Sequence, residues 1–207
     1  MRTLKIIRLG VVLLIGLLCS SRQVLFAACQ NEFPLSFLHV GIGYEASASP
    51  GNLTSSVTLA PDGERGTRLI ITGVVYQSDG KTPLAWAVMY AYQTDADGYY
   101  SREQGGNRAP RLKGRLKTGA DGRYEIRTIM PGHYPGGKVP SHIHASITPA
   151  GGKEVNIDEY LFDGDPFLSK EDYSKFAGRG PLSSLVTTVK GDDGVLRAVR
   201  DIIVNAR

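Results

Sequence analysis

His142 and His144 are the residues in this chain whose type and spacing most directly suggest chemistry. Side chains alternate faces along an extended strand, so both imidazoles project to one side and Ile143 to the other. Ile147 and Thr148 follow, then the turn-forming Pro149-Ala150-Gly151-Gly152, and this favours a strand over a helix. Such a pair can clamp a metal ion, or it can be a hydrogen-bonded polar pair on a strand. No cysteine lies nearby and there is no His-Glu-x-x-His pattern, so the usual zinc spacings are missing. Further donors are available downstream as Asp158, Glu159, Asp163 and Asp165, and the chain is rich in tyrosine. Phenolate oxygen is a hard donor, and beside imidazole it suits ferric iron better than zinc or copper.

The elements that must position this pair begin after a leader. Arg2, Lys5 and Arg8 precede an apolar run from Leu9 to Leu18, too short to cross a bilayer, and small residues follow at Ala27-Ala28. Residues 1–28 therefore read as an export signal, which places the chain in a bacterial periplasm, in an outer membrane as a lipoprotein, or outside the cell. Phe26-Ala27-Ala28-Cys29 resembles a lipoprotein cleavage site, with Cys29 as the lipid anchor. Ordinary cleavage near Ala27 or Ala28 is the alternative. Cys19 and Cys29 are the two cysteines, so the mature chain has no internal disulfide. The leader also holds Arg2, Lys5, Arg8 and Arg22, which account for the whole formal charge of +4. The remainder is balanced, and this removes the argument for a nucleic-acid partner.

Residues 29–66 are polar and turn-rich and read as a tether or arm that wraps the domain. From 67 to 207, short β-runs alternate with tight turns. Leu69 to Tyr76, Ala87 to Tyr92, Leu116 to Thr118, Tyr124 to Ile129, the His142 strand and Val155 to Phe162 are the predicted strands. Ser169 to Phe176 is predicted as one short helix, and Leu185 to Val189 with Val195 to Val204 as a closing hairpin around Gly191-Asp192-Asp193-Gly194. This pattern implies a single all-β domain, a β-sandwich with few short helices.

Several stretches together carry a family resemblance. Gly114 to Tyr134, with Asp121-Gly122-Arg123-Tyr124 and Met130-Pro131-Gly132-His133-Tyr134, runs into Pro140-Ser141-His142-Ile143-His144. Upstream lies Asp97-Gly98-Tyr99-Tyr100, and downstream Phe162-Asp163-Gly164-Asp165-Pro166. In this order the segments resemble the intradiol ring-cleavage dioxygenases, from about Leu69 to Pro166. The resemblance implies a transthyretin-like β-sandwich and a non-haem Fe(III) held by Tyr100, Tyr134, His142 and His144. It also implies a catechol-type substrate that displaces the axial tyrosine, Tyr134, and O2 as co-substrate. The product would be a muconate-type diacid, with Tyr134 and Tyr100 as the residues expected to act in catalysis.

The chain departs from that family in places. Arg-Pro-Ala usually precedes His-Ile-His, and here the arginine position is Val139, with Lys138 beside it. The Tyr134 to His142 connection is short, which implies a more open site. Asp158-Glu159 replaces a Thr-Gln pair, so Glu159 is either a hydrogen-bond acceptor behind the ligands or a solvated charge. Arg108, Arg111, Lys113, Arg115 and Lys117 form a basic cluster, read as steering an acidic substrate or as simple solvated charge. His39 and His133 have no motif partner, and Tyr92, Tyr99, Tyr124, Tyr160 and Trp86 read as packing. Nucleotide-binding and serine-hydrolase motifs are absent. A catalytically silent exported β-sandwich binding module is the alternative function.

Overall fold

The structure is a computed structural model that describes residues 53–101 and 109–205. The leader, Cys29, His39 and Arg108 lie outside the described residues. Two six-stranded sheets face each other. The first holds β1 (Ser56–Thr58), β5 (Arg123–Ile129), β2 (Arg68–Tyr76), β11 (Leu196–Val199) and β10 (Val189–Lys190) in that order, and β12 (Ile202–Ile203) also pairs with β2. The second holds β4 (Leu112–Lys117), β3 (Val88–Gln93), β6 (His142–Thr148), β8 (Tyr160–Phe162) and β9 (Leu185–Val186), with β7 (Val155–Asn156) beside β6. The architecture is the expected all-β sandwich.

Alternation explains the layers. Along β2, Leu69, Ile71 and Val75 are buried between the sheets; along β3 it is Met89, Ala91 and Gln93, and along β6 Ile143, Ala145 and Ile147. The other face of β3 carries Val88, Tyr90 and Tyr92, and that of β6 carries His142 and His144. One residue of register slip would swap the two sets, so burying the apolar set fixes which way the histidines point.

Residues 53–60 join the two sheets at one edge. Thr54 accepts the Lys117 amide of β4 through its carbonyl, and Ser55 accepts that of Glu125 in β5. Gly114 leaves room for the crossing, since a Cβ there would stand 2.5 Å from a Val57 methyl. Across the interior, the Tyr160 hydroxyl of the second sheet donates to Tyr124 Oη of the first at 3.0 Å, and Tyr124 donates to the Arg200 carbonyl at 2.7 Å.

The structure differs from the predicted elements in several stretches: β1 lies within the predicted arm, and β4 begins at Leu112 rather than Leu116. Val155 to Phe162 is not one strand, because Ile157 to Glu159 turns away between β7 and β8. The closing hairpin is shorter than its two hydrophobic runs: β10 pairs with β11, but β9 joins the opposite sheet beside β8, and β12 runs parallel to β2. Short apolar runs do not encode which sheet they join; burial of Val186, Ala198, Ile202 and Val204 against different partners decides it. The predicted helix forms as α1 (Lys170–Phe176), with a capping box between Ser169 and Asp172.

Arg200 is 4% exposed. Its Nη2 donates to the Asp158 carbonyl at 2.8 Å and to Ser184 Oγ at 2.9 Å, and the guanidinium lies 4.2 Å from the Tyr160 ring centroid. Its Nε and Nη1 have no partner among the described residues. Truncation strands two acceptors and opens a cavity. We expect Arg200→Ala to lower stability by about 3 kcal/mol in urea unfolding, and Arg200→Met, which keeps the stack on Tyr160, to lose clearly less.

Candidate metal centre

The two candidate tyrosines arrive on loops. Tyr100 follows β3 on a turn organised by Asp95, whose carboxylate accepts the Asp97 amide at 2.9 Å and the Tyr99 amide at 3.0 Å. Tyr134 follows β5. The two loops lie back to back through glycine, since the Asp95 carbonyl accepts the Gly132 amide at 2.9 Å and Thr94 Oγ1 donates to the Gly132 carbonyl at 2.8 Å. A Cβ on Gly98, where φ is +86°, would stand 1.7 Å from the His133 carbonyl oxygen, so only glycine permits this approach. Beneath it, buried Gln93 donates to the Thr94 and Ile129 carbonyls and accepts from Thr128 Oγ1.

Asp165 ties the Tyr134 loop down at both ends. Its Oδ2 accepts His133 Nε2 at 2.8 Å and the Ser141 amide at 3.0 Å, while Oδ1 accepts the Phe167 amide at 2.9 Å. His133 and Ser141 directly precede Tyr134 and His142. Burial acts to raise the Asp165 pKa, but the hydrogen bonds from Phe167, Ser141 and His133 outweigh it and hold the carboxyl below its ordinary value.

The four candidate ligand atoms close into a ring. Tyr100 Oη lies 2.5 Å from Tyr134 Oη, which lies 2.9 Å from His142 Nε2; His142 Nε2 lies 3.1 Å from His144 Nε2, which returns to Tyr100 Oη at 2.9 Å. Two ligands at right angles on one ion, with bonds of about 2 Å, stand about 2.8 Å apart. The tautomers agree with this use. His142 Nδ1 is 2.7 Å from the Pro140 carbonyl, which can only accept, so Nδ1 carries a proton, and in the neutral tautomer this leaves the Nε2 lone pair facing the ring. His144 Nδ1 faces Glu159 Oε1 at 3.6 Å, which favours the same tautomer. Two bare nitrogens 3.1 Å apart repel unless a cation stands between them.

The electrostatics point the same way. Burial, then the neighbouring charge of His142, lowers the His144 pKa to about 4 against the opposing pull of Glu159, so its imidazole is neutral at pH 7 and free to ligate. Burial, then the hydrogen bond and charge of Tyr134, holds the Tyr100 phenol well above its ordinary pKa. A cation at the ring's centre would favour its ionisation, and such binding would release protons. Among the described residues no three His, Cys, Asp or Glu side chains gather to hold a metal. The phenol oxygens are what complete a donor set here, and two imidazoles with two phenols suit ferric iron.

All four predicted donors thus meet, and Tyr100 rather than Tyr99 is the tyrosine that reaches in; Tyr99 is 45% exposed. Lys138 and Val139 are both exposed on the Tyr134 loop. The basic cluster divides. Arg111 pairs with Glu64 at 2.6 and 2.8 Å, whereas Lys113, Arg115 and Lys117 line the outer face of β4. Tyr124 and Tyr160 are core residues, as expected. Tyr92 does more than pack, since it stacks on His144 with centroids 4.7 Å apart. His133 and Asp165 are the positioning pair that sequence reasoning missed. The adjacency of His133 to Tyr134, and the place of Asp165 as the aspartate of the Phe-x-Gly-Asp-Pro stretch, was the available signal.

A β-sandwich carrying two histidines and two loop tyrosines on one outer face defines a class, and the comparisons agree with it. A family model described as Dioxygenase matches residues 44–197, and the chain belongs to the intradiol ring-cleavage dioxygenase family. It is 32% identical over 166 residues to a catechol 1,2-dioxygenase of Acinetobacter lwoffii, covering 72% of this chain and 52% of that protein. It is 28% identical over 223 residues to a 6-chlorohydroxyquinol 1,2-dioxygenase of Cupriavidus pinatubonensis, covering 92% and 77%. The chain thus spans about half the length of the first relative. Among solved structures, a 3-chlorocatechol 1,2-dioxygenase from Rhodococcus opacus 1CP superposes with a TM-score of 0.56 at 20% identity, over 78% of this chain and 70% of that one. The dioxygenase domain of a carbohydrate-binding fusion protein from Streptomyces sp. SirexAA-E gives 0.55 at 21% identity, over 79% and 96%. At these identities the superpositions show the fold.

Asp165 yields a prediction with a sign. Its folded pKa lies below the unfolded value of about 3.9, so its stabilisation is fully present above that value and is lost as pH falls through the folded pKa. Asp165→Asn places an amide NH2 against donors. It should cost about 1–3 kcal/mol at pH 7, and in acid titrations followed by circular dichroism the stability gap to wild type should narrow below pH about 4.

Proposed function

We propose that this protein is a non-haem Fe(III)-dependent intradiol dioxygenase that opens the ring of a catechol-type aromatic with O2 to give a muconate-type diacid. The observation that carries this reading is the closed ring of Tyr100, Tyr134, His142 and His144 donor atoms, 2.5–3.1 Å apart, in a chain of this family. Bound ferric iron would supply the Lewis acid and electron acceptor through which a catecholate and O2 react.

The protein's part is to hold and to move. His142 and His144 belong to β6, paired on both sides, and so are the fixed donors. Tyr100 is held by the backbone bond from the Arg111 amide to its carbonyl. Tyr134 lies on a loop whose Pro135, Gly136, Lys138 and Val139 are exposed, and it is the donor we assign to leave when a catechol arrives. A departing phenolate can accept a substrate hydroxyl proton, which couples substrate binding to substrate ionisation. Glu159 would keep the Nδ1 proton of His144 in place. Val139, exposed where the family pattern has an arginine, leads us to read the loop side of the site as more open.

Iron-loaded protein from Gln30 onward should show a broad visible charge-transfer band that moves to longer wavelength on anaerobic addition of catechol. Tyr100→Phe and Tyr134→Phe should each change the band. An iron-free, colourless protein would instead favour the binding-module reading, and a spectrum unchanged in both variants would overturn the ligand assignment.

We also propose that residues 1–28 direct export and that Cys29 is acylated, on the strength of the apolar run and the Ala27-Ala28-Cys29 junction. Labelling with an alkyne fatty acid in a bacterial host should mark wild type and not Cys29→Ser; absence of label on wild type excludes the anchor.

A further inference from the structure

The face of the second sheet that presents His144 continues away from the donors as an aromatic strip with a basic border. Alternation puts Val88, Tyr90 and Tyr92 on one side of β3, and Trp86 stands in the turn just before it, with its ring beside Lys117 of β4. In register beside them, β4 sets Lys117 opposite Val88, Arg115 opposite Tyr90 and Lys113 opposite Tyr92. On the other flank β6 sets Thr148, Ser146 and His144 opposite the same three residues. Ring contacts run along this line. His144 and Tyr92 stack at 4.7 Å, Tyr92 and Tyr90 lie 5.6 Å apart, the Arg115 guanidinium lies 4.9 Å from the Tyr90 centroid, and Lys117 Nζ lies 5.9 Å from that of Trp86. At about 3.3 Å per residue, Tyr92 and Val88 lie about 13 Å apart along β3, and Trp86 follows at the turn beyond Val88.

Trp86 marks the far end, and its presentation is unusual. It is 54% exposed and has a φ of 61°, a left-handed conformation that bulky residues seldom adopt. Buried Thr118 holds the turn in that shape, since its Oγ1 donates to the Leu84 carbonyl and accepts the Ala87 amide while its carbonyl accepts the Trp86 amide. The fold thus maintains backbone strain and shows its single tryptophan to solvent. Charge is segregated across the strip: cations border it along β4, and Glu154 and Glu159 lie on the β7–β8 side, Glu154 bonded to Ser146 Oγ and Glu159 near His144.

We propose that this strip is an extended subsite for a multi-ring phenolic chain that carries carboxylates. Its terminal catechol would enter the donor cluster, the following rings would lie on Tyr92, Tyr90 and Trp86, and its acidic groups would face the β4 cations. Stacked rings favour a chain of flat rings, continuity with His144 makes such a chain's end the reacting ring, and the basic border selects acidic substituents. The assignment of the terminal ring rests on the dioxygenase reading above.

The probe is a linear three-ring depside of hydroxybenzoic acids, with a 3,4-dihydroxy ring at one end and a free carboxylate at the other. In iron-loaded protein, Trp86→Ala and Lys117→Gln should each lower kcat/KM for this depside about threefold to tenfold, while plain catechol stays within about twofold of wild type. Equal losses on both substrates, or none on either, overturn the proposal. A second readout is independent of iron: the indole N–H resonance of Trp86 in metal-free protein, titrated with the depside whose catechol hydroxyls are methylated. A saturable shift that weakens in Lys117→Gln supports the strip even where catechol turnover fails. Catechol turnover with no shift overturns the strip and leaves the dioxygenase reading standing. A shift produced by cellohexaose and not by the depside makes the strip a carbohydrate platform and also overturns it.

Discussion

Two bare imidazole nitrogens 3.1 Å apart, each also within 2.9 Å of a phenol oxygen, are an arrangement that a folded chain does not adopt without support. The lone pairs of His142 and His144 repel, and the phenols alone do not provide enough protons to bridge every edge of the ring. The sandwich must therefore impose the geometry. It does so by placing both histidines on one outward face of β6, where the apolar set Ile143, Ala145 and Ile147 is locked into the core. Tyr92 backs His144 by stacking, and the Pro140 carbonyl fixes the tautomer of His142.

The four side chains differ in how they are held. The histidines are part of a sheet with neighbours on both sides. The tyrosines come from loops. Of these, the Tyr100 loop is braced by Asp95 and by the contact of Gly98 with His133, whereas the Tyr134 loop has exposed residues between its anchors and is tied at each end by Asp165. One carboxylate therefore governs the spacing between loop-borne Tyr134 and strand-borne His142. Its low pKa reflects the three hydrogen bonds it accepts there.

Behind the centre, the two sheets are pinned where their slippage would matter. Tyr160 lies opposite Ile143 in β8, beside the histidine strand, and its hydroxyl reaches Tyr124 in the other sheet and through it the Arg200 carbonyl. Gly73 permits that close approach, since a Cβ there would stand 1.8 Å from the Arg200 oxygen. Residues 53–60 close the opposite edge. The face carrying the donors and the aromatic strip is thus the outside of a sheet whose inside is held at both margins.

Much of this was legible in the sequence. The period-two pattern in Leu69 to Tyr76 and in His142 to Thr148 set the strands and the shared face of the histidines, because alternation is a local property of the extended chain. The order of Gly98-Tyr99-Tyr100, Gly132-His133-Tyr134, His-Ile-His and the Phe-x-Gly-Asp-Pro stretch marked the family and pointed to the four side chains that meet. What required the tertiary structure was every relation between distant segments. That Leu185-Val186 joins the histidine sheet while Val189-Lys190 joins the other is decided by which side of the core has room, and short apolar runs do not specify this. That His133 and Asp165 meet 32 residues apart depends on where the loops after β5 and β8 are carried, and that Tyr92 stacks on His144 and Lys117 reaches Trp86 depends on strand register, which side-chain packing sets and local sequence does not.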